Sequence, residues 1–195
     1  MKLHGEFFLV IAISNYICEG KSVNINDYPW LVSIQFDFFG QVKHACGGVI
    51  ISDVFVLTTA SCFDGALSLF SLFSVHAGID NIFHPSNTNE QIRRVSEITL
   101  HPNYTSETFH NDLSLVRISS AFDFKSLSTS IVSLSNTISF ENMDLITIGW
   151  NRVVDLANQN ASMILLRGTI VRESVQCSVN PSFDRKTQVC AIGRT

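Results

Sequence analysis

Along most of the chain, apolar and polar positions alternate with the period of a strand. Trp30, Val32, Ile34 and Phe36 alternate with Leu31, Ser33 and Gln35, which puts one set on each face of a pleated ribbon. Residues 49–57 are mostly apolar and β-branched, broken by Ser52-Asp53, a pair suited to a turn. Residues 113–118 predict another short strand, and residues 145–148 and 163–171 predict two more in the second half. No long window carries a convincing helical period. Many short strands separated by turn signals point to an all-β sandwich or barrel. Residues 119–139 are serine-rich with few bulky side chains, which predicts a linker between two halves.

The amino terminus follows a different rule. Lys2 and His4 precede the unbroken apolar run Phe7-Phe8-Leu9-Val10-Ile11-Ala12-Ile13. A short charged region before such a run predicts a secretory signal peptide, with small-residue cut sites after Ser14 or Gly20. The five cysteines are Cys18, Cys46, Cys62, Cys177 and Cys190. Cutting after Gly20 removes Cys18 and leaves four, which can pair completely in an oxidising compartment. The expectation is therefore a signal peptide over residues 1–20 and a secreted, extracellular domain over residues 21–195. Four cysteines allow three connectivities, of which two local pairs are the simplest. The sequons Asn103-Tyr104-Thr105 and Asn160-Ala161-Ser162 predict N-glycosylation at Asn103 and Asn160, whereas Asn180-Pro181-Ser182 is disqualified by its proline.

Composition excludes several classes. The chain has 195 residues, 46% of them hydrophobic and 15% charged, against about 25% charged in typical soluble domains. Such a chain is too apolar to be intrinsically disordered. A net charge of -4, with no basic run beyond Arg93-Arg94, argues against nucleic acid as a partner. No uninterrupted apolar run approaches the ~20 residues that span a bilayer.

Six motifs occur in order. Tyr28-Pro29-Trp30-Leu31-Val32-Ser33-Ile34 is followed by His44-Ala45-Cys46-Gly47-Gly48-Val49-Ile50-Ile51, and then by Val56-Leu57-Thr58-Thr59-Ala60-Ser61-Cys62. His101-Pro102-Asn103-Tyr104 leads into Asn111-Asp112-Leu113-Ser114-Leu115-Val116, and Ile148-Gly149-Trp150 precedes the pair Cys177 and Cys190. Together they resemble the trypsin/chymotrypsin-like serine proteases from about residue 28 to the end. The resemblance implies two six-stranded antiparallel β-barrels with the active site between them. The first barrel would cover about residues 28–118, the linker 119–139, and a second barrel, incomplete at its C-terminal end, 140–195. It also implies the disulfides Cys46–Cys62 and Cys177–Cys190.

In that family a serine attacks, a histidine takes and returns its proton, and an aspartate orients the histidine. By resemblance Asp112 fills the aspartate position, but the histidine position is Ser61. An aliphatic hydroxyl is no base near neutral pH. The family's Gly-Asp-Ser-Gly-Gly motif should follow Cys190, where the sequence reads Ala191-Ile192-Gly193-Arg194-Thr195, so truncation before the nucleophile is expected. The activation terminus Ile-Val-Gly-Gly corresponds to Ile17-Cys18-Glu19-Gly20, which agrees only at its ends. His44 reads as a structural histidine beside Cys46, His101 and His110 as loop residues, and His76 and His84 as surface residues. No spacing suggests a metal site, and no cofactor is implied. Without an imidazole, Asp112 is expected to find other donors, the Ser61 hydroxyl among them. The expectation is a secreted, monomeric serine-protease homologue, proteolytically inactive. As a binding or regulatory pseudoprotease it would engage proteins or protease inhibitors through the remnant cleft, with loops 63–73 and 83–91 at its edge. The alternative is a fragment of a trypsin-like serine endopeptidase involved in proteolysis.

Overall fold

The computed structural model describes residues 21–82, 89–134, 144–154, 162–173, 183–184, 186–188 and 190–193. Among the described residues ten strands dominate, with three short 3₁₀ turns at Ile25–Asp27, Ser61–Phe63 and Leu67–Leu72. Among the described residues no helix is long and apolar enough to cross a membrane.

Six strands close into an antiparallel barrel. They are β2 (Leu31–Phe38), β3 (Gln41–Ile50), β4 (Phe55–Thr58), β5 (Phe73–Ala77), β6 (Gln91–Leu100) and β7 (Ser114–Ile118), in the ring order β2-β3-β4-β7-β6-β5. The β2–β3 hairpin turns on Phe39 and Gly40, both at positive φ, and the Asp37 carboxylate accepts from the Gly40 N–H at 2.9 Å. Val32, Ile34, Ile50, Val56, Phe63, Phe73, Val75, Ala77, Val95, Val116, Ile118 and Phe122 fill the interior. The barrel-facing register leaves no room at Gly48, where a Cβ would lie 2.9 Å from Val56 Cγ1.

The second half holds an open four-stranded sheet among the described residues. Its axis is β9 (Ser162–Glu173), which pairs with β8 (Asp144–Val154), β1 (Lys21–Ser22) and β10 (Ala191–Gly193). A second apolar cluster, with Ile25, Leu31, Val49, Ile79 and Trp150 buried at its centre, joins this half to the barrel.

Several expectations from the pattern change once packing is known. β2 is buried on both faces: Ser33 and Gln35, the polar half of its alternation, are 0% and 2% exposed. One face looks into the barrel and the other lies under the junction. β5 and β6 were not expected as strands, because His76, Arg93, Arg94 and Glu97 interrupt the apolar pattern. The loop expected at 63–73 ends where Phe73 opens β5, and Gln91, the last residue of the loop expected at 83–91, opens β6; residues 83–88 lie outside the described residues. Residues 119–134, the described part of the expected linker at 119–139, run against the first barrel. Phe122 is buried in the barrel core, and Ser130 N and Val132 N donate to Pro29 O and Ile50 O, strapping the segment to the barrel.

The Cys46–Cys62 disulfide forms between residues 16 apart, a closure worth on the order of 3 kcal/mol in the chain-entropy model. Phe63, beside it, is fully buried and meets Phe73 edge-on with ring centroids 5.2 Å apart. Phe63→Ala should therefore cost about 3–5 kcal/mol of folding stability, read as a lower urea midpoint. An unchanged midpoint would mean that the 61–63 turn is not anchored by this ring.

Candidate functional site

Two segments meet at one end of the barrel. The first leaves β4 through buried Thr59 and Ala60 and enters the turn Ser61–Phe63. Three contacts hold that turn. Phe63 N donates to Ala60 O, Cys62 is bonded to Cys46 on β3, and the Phe63 ring plugs the core. Ser61 thus sits on a backbone with little freedom.

The second segment, residues 101–112, is a loop before β7. His101 N donates to Leu113 O at 2.9 Å, and Asn111 Nδ2 donates to Asn103 O at 2.9 Å, closing the loop's base. Phe109 and Asn111 have φ of 55° and 53°. Asparagine visits this left-handed region readily, but a phenylalanine there is strained by about 1–3 kcal/mol. Gln188, from the second half, offsets this strain by donating to Thr108 O at 3.0 Å and to Phe109 O at 3.5 Å.

The two segments are joined by a two-point hydrogen bond. Ser61 N donates to Asp112 Oδ1 at 2.7 Å, and Ser61 Oγ donates to Asp112 Oδ2 at 2.8 Å. Both carboxylate oxygens have a donor from one residue. The serine hydroxyl is the donor that the sequence suggested for Asp112. Beside this pair, Tyr104 donates its phenol proton to Asp64 Oδ2 at 2.7 Å. Burial, that hydrogen bond and the neighbouring carboxylates Asp64, Asp112 and Glu107 hold the Tyr104 phenol well above its ordinary range. The sequence carried no signal for this contact, nor for the Gln188 clasp, because both depend on the loop's conformation.

The histidines divide differently from expectation. His44 is held as a structural residue: its Nδ1 lies 2.8 Å from Ser33 Oγ, and its ring packs on Trp150 with centroids 5.6 Å apart. Burial lowers its imidazole to about 4. His76, expected at the surface, is only 8% exposed. It pairs opposite Ser33 across the β2–β5 ladder, and its ring nitrogens meet Ser74 Oγ at 2.9 Å and Glu90 Oε1 at 2.8 Å. Burial is tolerated because both nitrogens are satisfied. His101 and His110 lie in the loop, as read from the sequence, with His101 Nδ1 accepting from Asn103 N. His84 and Asn160 lie outside the described residues.

Cys190 is buried and disulfide-bonded, and its expected partner Cys177 lies outside the described residues. Among the described residues no group of three His, Cys, Asp or Glu side chains could hold a metal ion.

Similarity searches agree with this architecture. The family profile described as Trypsin matches residues 17–194. The venom peptide isomerase heavy chain of Agelenopsis aperta is 30% identical over 138 residues, covering 70% of this chain and 56% of its own. U21-ctenitoxin-Pn1a of Phoneutria nigriventer is 32% identical over 109 residues, covering 56% of this chain and 44% of its own. The chain therefore spans about half the length of these curated relatives. The solved structure of GrC matches with a TM-score of 0.72 at 22% identity, covering 88% of this chain and 74% of its own, a likeness of fold.

Two outcomes follow from the geometry. Asp112→Ala removes the acceptor of both Ser61 donors and should cost about 1–3 kcal/mol, measured by denaturant unfolding. Ser61→Ala should cost less, because the backbone bond remains. The second concerns pH. The His44 value of about 4 lies below the unfolded value of about 6.5, so the unfolded chain binds the proton more readily. Its contribution is fully present above about pH 6.5 and is lost as pH falls toward 4, by up to about 3 kcal/mol. His44→Gln should flatten that part of the stability–pH curve, and parallel curves for the two proteins would contradict it.

Proposed function

Since the chain belongs to the trypsin family, we propose that it is a secreted serine-protease homologue without proteolytic activity, acting as a scaffold that binds a protein partner such as a protease or a protease inhibitor. One observation carries the reading. By the order of the motifs Ser61 stands where the family has its histidine, and its hydroxyl is already committed to Asp112. The family reaction needs a group that accepts the nucleophile's proton and returns it to the leaving amine. A hydroxyl cannot do so near neutral pH. In a different protease, loss of the base alone costs about 10⁶ in turnover.

Other histidines do not substitute in this reading. His44 is engaged with Ser33 and Trp150, and His76 with Ser74 and Glu90. Secretion is supported by the apolar run Phe7–Ile13 after Lys2 and by the Cys46–Cys62 disulfide, which persists in oxidising compartments. A second reading, part of a longer trypsin-like endopeptidase, is favoured by the partial coverage of the relatives' length. Ser61 weighs against it whatever else such a protein contains.

The natural secreted protein, exposed to a fluorophosphonate that labels activated serines, should take up no label and should not hydrolyse peptide substrates above the buffer rate. It should at the same time unfold cooperatively as a monomer. Labelling that disappears on prior unfolding would overturn the scaffold reading and favour the endopeptidase.

A further inference from the structure

The sequon at Asn103 is a motif that neither barrel packing nor the Ser61–Asp112 pair absorbs. Asn103 is exposed, in the turn after His101. Its backbone is pinned on both sides: its N–H donates to His101 Nδ1 at 3.2 Å, and its carbonyl accepts from Asn111 Nδ2 at 2.9 Å. Neither bond uses its side-chain amide. Thr105, the hydroxyl-bearing third residue of the sequon, is exposed as well, and its Oγ1 meets only the neighbouring Thr108 Oγ1 at 2.6 Å. The sequon therefore presents an unengaged amide and a surface hydroxyl on a short turn, the setting in which this motif is modified.

Its position gives it a consequence. Asn111, which holds the Asn103 carbonyl, adjoins Asp112 in sequence, and Tyr104 donates to Asp64 just past the Ser61 turn. Asn103 is thus tied to both arms of the Ser61–Asp112 pair.

We propose that Asn103 carries an N-linked glycan and that this glycan shields the rim beside Ser61 and Asp112. The inference rests on the secretory reading above, because the donor and its transferase act on chains entering the secretory lumen. The donor is an oligosaccharide linked to a lipid diphosphate. A bond forms between Asn103 Nδ2 and the anomeric carbon of the sugar, and the bond from that carbon to the diphosphate oxygen breaks. The lipid diphosphate leaves, and one amide proton passes to the transferase. The glycan then restricts which partners can approach this rim.

The test expresses the full chain in a secreting eukaryotic cell and analyses the medium by peptide mass spectrometry. Trypsin separates the two sequons, since Asn103 falls in the peptide 95–117 and Asn160 in the peptide 153–167. The expected result is a glycan mass on peptide 95–117. That mass is lost in Thr105→Ala and kept in Thr105→Ser, a pattern that a purely structural role for Thr105 does not produce. Chymotryptic cleavage after the exposed Phe109 should be slower in the glycosylated protein than in Thr105→Ala. Secreted protein with a bare peptide 95–117 overturns the inference and leaves the secretory reading intact. A chain retained in the cytosol with Cys46 and Cys62 reduced overturns the secretory reading and the inference with it. Equal cleavage rates after Phe109 overturn the shielding.

Discussion

Closure of the first barrel is the constraint on which the rest of the molecule depends. An open sheet leaves a row of unpaired N–H and C=O groups on each outer strand, and a closed ring abolishes both edges. To complete the ring, β7 must lie between β4 and β6, and its antiparallel register places Thr58 opposite Ser114. β4 therefore leaves the barrel where β7 enters it. Ser61 follows Thr58 closely and Asp112 closely precedes Ser114, so both emerge on one rim. Their hydrogen bonds join residues 51 apart in sequence, yet the meeting is a direct product of ring order and register.

What the rim requires for folding is less than what the family's chemistry requires. A partly buried carboxylate is costly without donors, and a serine backbone N–H with its hydroxyl supplies two. Catalysis asks for more, namely a group that can take a proton at the working pH. On the proposed reading, exchanging imidazole for hydroxyl removes the second property and leaves the first. The turn stays anchored by Cys62 and Phe63 on one side, and the Asp112 loop by Asn111 and Gln188 on the other. A surface of fixed shape therefore survives without the base.

The same distinction explains what was legible in the sequence. β2, β4, β7, β8 and β9 were readable because each carries a run of apolar or β-branched residues. β5 and β6 were not, since His76 and the charges of Arg93, Arg94 and Glu97 obscure their apolar positions. Even in β7 the hydrophobic pattern misleads. Ser114 is buried and Leu115 is exposed, because ring closure decides which face turns inward. Ser61 and Asp112 were legible through the spacing of the motifs around them. The Tyr104–Asp64 bond and the Gln188 clasp were not. They depend on a loop whose path runs through two left-handed non-glycine residues, Phe109 and Asn111, and no local pattern announces that.

The polar residues under the junction explain how the two halves keep one arrangement. Leu31, Val49, Ile79 and Trp150 supply apolar burial there, but apolar contact is non-directional and tolerates sliding. Ser33 lies in the same wall as Leu31 and bonds His44, whose ring lies on Trp150 of the second sheet. Next to Ser33 across the ladder, His76 is fixed by Ser74 and Glu90. Each of these buried groups costs free energy unless its partner is in place, so a shift between the halves would break bonds as well as contacts. The rim that carries Ser61, Asp112 and the Gln188 clasp inherits that rigidity. On the proposed reading, a partner binding there would meet a preorganised surface and lose little free energy in ordering it, an advantage that does not depend on catalysis.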